Sequence, residues 1–165
     1  IAYNSDIILN PILFGGTGVN SEEEDMPSFL PERLEVGSMN SLSLIGLNIS
    51  LKWLTETGLD KISRSKLENL NTLYDLFKGY EQIKIVSKKE NNIGVVSVLF
   101  DGYTPQEMAK FLNKEGISIR EGLHCAPLAH KHLGTFPKGT ARFSVSYLNN
   151  KTDFTELIAS MDNIL

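Results

Sequence analysis

Residues 80–165 predict an α+β sandwich, and three observations carry the prediction. Past Tyr80 the helical spacing of apolar residues gives way to short β-branched runs, 83–86 and 94–100. A capped helix then separates these runs from two more at 117–120 and 141–146. The chain closes on a helical pattern over 154–165. Strands and helices mixed over about 85 residues make a plausible small domain, with helices laid on a sheet.

The elements follow in order along the chain. Residues 1–14 read as strand and stop at Gly15-Gly16-Thr17-Gly18, after which the acidic, turn-rich run from Asn20 to Asp25 reads as a loop. From Ser41 the spacing of Leu42, Ile45, Ile49 and Trp53 predicts an amphipathic helix that ends at Gly58. A second helix is expected over 59–77, with Ile62, Leu67, Leu70, Leu73 and Phe77 as its stripe and Gly79 as its stop. The runs 83–86 and 94–100 form a hairpin turning at Asn91-Asn92. Thr104 then caps a helix with Pro105 at its first position and Glu107 three after the cap, running through Leu112 and ending before Gly116. Residues 1 to about 57 fit this small domain poorly. No internal repeat or low-complexity tract is present.

Composition narrows the function classes. The 165 residues are 41% hydrophobic and 22% charged, enough for one globular domain or a small domain with an extra segment. The net charge is −4 with acids and bases interspersed, so neither a nucleic-acid footprint nor a membrane-attracting basic face is expected. A small molecule or a protein is the expected partner. One cysteine forms no internal disulfide, no signal-like segment opens the chain, and no apolar run approaches the roughly 20 residues that span a bilayer. A cytoplasmic location is expected. The chain begins at Ile1 with what reads as a sheet strand entered in mid-course, and it is expected to be a piece of something longer.

The chemistry concentrates in one stretch. Cys125 is the single cysteine, and all three histidines lie within seven residues of it, in the run from Arg120 to His132. Nearby cations lower a thiol's pKa and make it a nucleophile, and imidazoles take or give protons near neutral pH. Gly122 and Pro127 bracket the thiol in a loop, where cysteines are accessible more often than inside an element. His124, Cys125, His130 and His132 also offer four zinc ligands in nine residues, but adjacent His-Cys ligands are awkward for one ion and no Cys-x-x-Cys knuckle is present. No metal is expected. A cysteine–histidine hydrolase meets the minimal requirement of a thiolate and a base. Arg120 and Arg142 approach the loop if the strands at 117–120 and 141–146 are neighbours, and arginine forks grip carboxylates bidentately. Farther up the chain, Gly15 to Gly18 and the run Gly37-Ser38-Met39-Asn40 have amides or hydroxyls suited to an anion. Ser38 reads as the N-cap of the helix that follows.

Taken together, four segments resemble the C-terminal part of a class V aminotransferase, in the cysteine desulfurase branch of the fold-type I pyridoxal-phosphate enzymes. They are Gly15-Gly-Thr-Gly18, the run Phe29 to Asn40, Ile119-Arg-Glu-Gly-Leu-His-Cys-Ala-Pro-Leu128, and the run Gly139 to Asn149. They stand in the family's order and span nearly the whole chain. The resemblance implies an α/β fold: residues 1–57 as the last part of the large cofactor-binding domain, 58–80 as a connecting helix, and 81–165 as the small α+β domain with a mixed or antiparallel sheet.

It also implies roles. Cys125 falls where the family's cysteine takes sulfur from L-cysteine as a persulfide and leaves alanine, with His124 as proton donor. Arg142 matches the arginine that holds the substrate carboxylate, and Arg120 the second basic residue of that pocket. Ser38, beside Gly37, stands where a threonine reaches the cofactor phosphate across the family's dimer, and Thr17 lies in a loop expected near the same place. The implied cofactor is pyridoxal 5'-phosphate, and the implied assembly is a homodimer that hands sulfur to an acceptor protein. Two departures stand out: serine replaces threonine at 38, and Ala126 alone separates Cys125 from Pro127. No lysine here has the family's Ser-x-His-Lys surroundings, so these residues alone are expected to be inactive. Two other readings remain: a class V aminotransferase or lyase for another amino acid, and a non-catalytic small domain that binds a partner or carries sulfur.

Overall fold

The computed structural model describes residues 6–20 and 22–165. The chain divides into two compact units, Ile1–Trp53 and Leu54–Leu165. In the first unit, the strand expected over 1–14 is not found: residues 6–14 form turns, bends and coil, and residues 1–5 lie outside the described residues. Ile7, Ile8 and Ile12 do not alternate, and Pro11 removes a ladder donor, so the run lacks the period of a strand. It is tied instead by a side chain, Arg33 Nη2 donating to Asn10 Oδ1 at 3.0 Å. Residues Glu32–Leu34 make a single 3-10 turn.

Helix α1, Ser41–Thr57, forms as the spacing predicts, and the chain turns at Gly58. Its cap differs from expectation. Ser38 stands three residues before the helix, and Asn40 Oδ1 accepts the Ser43 amide at 3.1 Å; asparagine is as good an N-cap as serine and is closer. The stripe of Leu42, Ile45, Ile49 and Trp53 stays exposed, Leu42 at 83% and Trp53 at 44%. Leu44, Leu47 and Leu51 lie between these residues, so the helix is apolar around most of its circumference rather than on one face.

The second unit is a four-stranded antiparallel sheet in the order β1-β2-β4-β3, built from β1 Ile83–Ile85, β2 Val95–Phe100, β3 Arg120–Gly122 and β4 Thr140–Ser144. Helices α2 Leu59–Lys78, α3 Pro105–Lys114 and α5 Lys151–Ile164 pack on it, and a short helix α4, Pro127–His132, lies between β3 and β4. The core joins Leu70, Leu73 and Phe77 of α2 to Val96 and Val98 of β2, Met108 and Leu112 of α3, Phe143 of β4, and Leu157 and Met161 of α5. The Phe77 and Phe143 rings meet edge to face at 4.8 Å.

Local chemistry sets the element ends. Asn92 closes the β1–β2 hairpin, its Oδ1 accepting the Gly94 and Val95 amides, each at 2.9 Å. Thr104 and Glu107 form the expected capping box on α3. A second box, Asn150 with Asp153, starts α5 three residues before the apolar pattern does. β3 lies later than the expected 117–120 because its pairing with β4 begins at Arg120. Among the described residues no helix is long and apolar enough to cross a membrane.

Candidate active site

In the second unit, Cys125 sits at the tip of a β-turn. The Ala126 amide donates to the Leu123 carbonyl at 2.8 Å, and the two central residues, His124 and Cys125, both have positive φ, +51° and +60°. Two successive left-handed residues make the mirror-image type I′ turn that glycine and asparagine usually supply. Holding a histidine and a cysteine there costs about 1–3 kcal/mol each and persists only where the surroundings enforce it. The turn projects both side chains beyond the strand end, and the Cys125 thiol is exposed.

The surroundings that enforce it are backbone crossings and α4. Gly122 ends β3, Gly139 precedes β4, and their backbones touch so closely that a Cβ on Gly139 would overlap Gly122. On the other side, Pro127 starts α4 directly after the turn, at the position where its fixed φ suits a helix and its missing N–H costs nothing. The sequence analysis left this segment as loop; Pro127 at a helix start, followed by Gly134, is the signal it carries.

One polar side chain contacts the thiol, and two more are fixed close by in sequence or register. Arg120 Nη2 donates to Cys125 Sγ at 3.8 Å. His124 Nε2 is 3.1 Å from Thr140 Oγ1, a hydroxyl buried at the start of β4 that the sequence analysis did not single out. Arg142 faces Arg120 directly, as its register partner across the β3–β4 pair. Opposed residues of an antiparallel pair share a face, so two cations point to one side of the sheet, an arrangement that is unfavourable unless an anion joins them. Arg142 lies between buried Ala141 and Phe143, so it points away from the helix-covered face.

Electrostatics follow from this crowding. Burial, and after it the electrostatic influence of the neighbouring Arg142, His130 and Arg120, holds the His124 imidazole below its ordinary pKa of 6.5. The neutral ring is therefore favoured near pH 7. Two buried nitrogens here have no hydrogen-bond partner, Arg142 Nε and His124 Nδ1. Each is a buried polar atom whose hydrogen-bonding capacity the described residues leave unused. Among the described residues no group of three or more His, Cys, Asp and Glu is placed to hold a metal ion.

In the first unit, Thr17, Gly37 and Ser38 belong to two loops that meet, the Gly37 amide donating to the Gly16 carbonyl at 2.8 Å. Gly37 has φ of +78°, and its N–H is already used. Among the described residues, Thr17 Oγ1 makes long local contacts, 3.4 Å, with Val19. Ser38 is exposed beside them.

Comparison with known proteins gives one consistent picture. The family model described as Aminotransferase class-V matches residues 5–157. A probable cysteine desulfurase of Methanothermobacter thermautotrophicus is 28% identical over 160 residues, covering 94% of this chain and 40% of the relative. One from Staphylococcus aureus is 29% identical, covering 93% of this chain and 37% of the relative. The chain thus spans about two fifths of the length of these curated relatives. Among solved structures, the apo cysteine desulfurase of Thermococcus onnurineus superimposes with a TM-score of 0.81 at 26% identity, over 93% of this chain and 39% of that one. The Escherichia coli cysteine desulfurase CsdA does so with a TM-score of 0.79 at 24% identity, over 93% of this chain and 38% of that one. The fold-type I expectation is met.

Proposed function

Because the chain belongs to the class V aminotransferase family, we propose that it is the C-terminal part of a pyridoxal-phosphate-dependent cysteine desulfurase, a cytoplasmic homodimer that passes sulfur to an acceptor protein. On this reading residues 1–57 complete the large domain, 58–80 connect, and 81–165 are the small domain. The observation that carries the reading is the Arg120 guanidinium 3.8 Å from an exposed Cys125 Sγ at the tip of a strained turn.

Each residue then has a task. Arg142 takes the carboxylate of L-cysteine, its unpaired Nε gaining the partner it lacks. Arg120 donates to the Cys125 sulfur, and that sulfur, as thiolate, attacks the substrate sulfur. A sulfur–sulfur bond forms as the substrate's carbon–sulfur bond breaks. The electron pair of the broken bond stays with the organic remainder, which gains a proton and leaves as alanine. His124, neutral near pH 7, takes the proton from the thiol before attack and returns it afterwards. Pyridoxal phosphate, when bound, supplies the electron sink for that bond cleavage, and its phosphate end would be met by the Ser38 hydroxyl, with Gly37 and Thr17 shaping the loops beside it. No lysine of this chain has the Ser-x-His-Lys surroundings of the family's Schiff-base lysine.

The test is alanine release from L-cysteine by the intact protein. Cys125→Ala should cut it by about 100-fold or more, as loss of a covalent nucleophile does. Undiminished release would remove Cys125 from the reaction. Amino transfer to a keto acid, unaffected by alkylating the thiol, would make the protein an aminotransferase for another amino acid.

A further inference from the structure

Beneath the Cys125 turn lies a second histidine that the proposed reaction does not use. His130 is 5% exposed, and its Nδ1 is 2.7 Å from Thr135 Oγ1, which is itself buried. Its backbone is bonded on both sides. The His130 amide donates to the Ala126 carbonyl at 3.2 Å, at the end of the Cys125 turn. The His130 carbonyl accepts the Thr135 amide at 2.9 Å and the Phe136 amide at 3.1 Å, and the Thr135 carbonyl accepts the Gly139 amide at 2.7 Å. Gly139 in turn lies against Gly122, where the chain enters the turn.

These contacts close a ring: from Gly122 through the turn to Ala126, His130, Thr135 and Gly139, and back to Gly122. The His130–Thr135 side-chain bond is its one link between side chains. The His130 ring also stands 5.6 Å from the His124 ring, tilted by 48°. Two left-handed non-glycine residues in succession need such enclosure, because the left-handed backbone is costly for residues with a Cβ.

We propose that His130 is a positioning residue: its side-chain bond to Thr135 braces the backbone frame that keeps His124 and Cys125 in their left-handed turn. Its meaning for catalysis rests on the desulfurase reading above, but the frame is tested without turnover. The groups facing His124 are Arg120 from β3, Arg142 and Thr140 from β4, and His130 from α4; of these, His130 is the one whose amide is bonded to Ala126, the last residue of the turn.

The experiment uses four variants of the intact protein, followed by amide hydrogen exchange at Ala126 and by the His124 Cε1–H resonance. His130→Leu and Thr135→Val break the bond. His130→Asn keeps a polar group at the place of Nδ1, and Thr135→Ser keeps the hydroxyl. The two breaking variants should speed Ala126 exchange about tenfold and shift the His124 resonance, while the Val96 and Val98 amides of the central strand stay within about twofold. The two conserving variants should stay close to the parent protein. The proposal is overturned by unchanged Ala126 exchange in both breaking variants, by equal acceleration in the conserving ones, or by a rise of the same factor at Val96 and Val98. If the exchange pattern holds while Cys125→Ala leaves alanine release undiminished, the desulfurase reading fails and the frame stands.

Discussion

The guanidinium of Arg120 donates to the sulfur of Cys125 at 3.8 Å, across five positions of sequence and a complete change of chain direction. The cation lies at the start of β3, and the thiol lies on the turn that strand feeds. Removing the charge removes the one cationic hydrogen-bond donor described on the sulfur. Arg120→Gln should therefore slow alkylation of Cys125 by iodoacetamide at pH 7 by about three- to tenfold, with Arg120→Lys in between, as peptide mass spectrometry would follow. An unchanged rate would mean that the contact does not activate the thiol.

Arg142 makes a different prediction because its Nε is buried without a partner. On the proposed reading Arg142 takes the substrate carboxylate, and a point charge does not replace its fork. Arg142→Lys in the intact protein should then lower kcat/KM for cysteine by about 10–100-fold, mainly through KM, while leaving the alkylation rate of Cys125 near that of the parent. Steady-state kinetics on both variants would separate the two arginines.

Much of this was legible in the sequence, and the limits have physical causes. Arg120, His124 and Cys125 are neighbours in the chain, so their meeting needs no tertiary information. Arg142 needed only the pairing of two strands with recognisable β-branched character. Thr140, Thr135 and the Gly122–Gly139 crossing were not singled out, because a small polar residue or a glycine carries no mark of which distant backbone it will touch. Ser38 was misread as a cap because Asn40 two positions later satisfies the same preference. The strand expected over 1–14 rested on apolar content without alternation, and residues 6–14 form none.

The pH dependence of folding follows from His124. Its folded pKa lies below 6.5, first through burial and then through the electrostatic influence of Arg142, His130 and Arg120. As pH falls, the unfolded chain binds the proton first, so the group's contribution is intact above about 6.5 and is lost on acidification through the folded value. The carboxylates of Glu107 and Asp153, held low by the amides and side chains they cap, add a separate loss at lower pH. Urea unfolding at a series of pH values should show stability falling just below 6.5, and His124→Gln should flatten that part of the curve.

Gly139 offers a test of the scaffold under the turn. A methyl group there meets the Gly122 backbone, and the residue has φ of +78°. Gly139→Ala should cost about 1–3 kcal/mol in chemical unfolding, from overpacking and an unfavourable backbone together. The same change at Gly102, which has similar φ of +80° and open space for a Cβ, should cost less, because only the backbone term remains.

The central claim is that Cys125 receives sulfur, and one measurement addresses it directly. The intact protein is treated with L-cysteine and pyridoxal phosphate, blocked with an alkylating reagent, digested, and the peptide containing Cys125 is weighed. The account predicts that this peptide carries one additional sulfur atom beneath the alkyl group, and that the addition is absent when cysteine is replaced by alanine. Alanine and sulfide released from cysteine, with the Cys125 peptide never gaining sulfur, would contradict it.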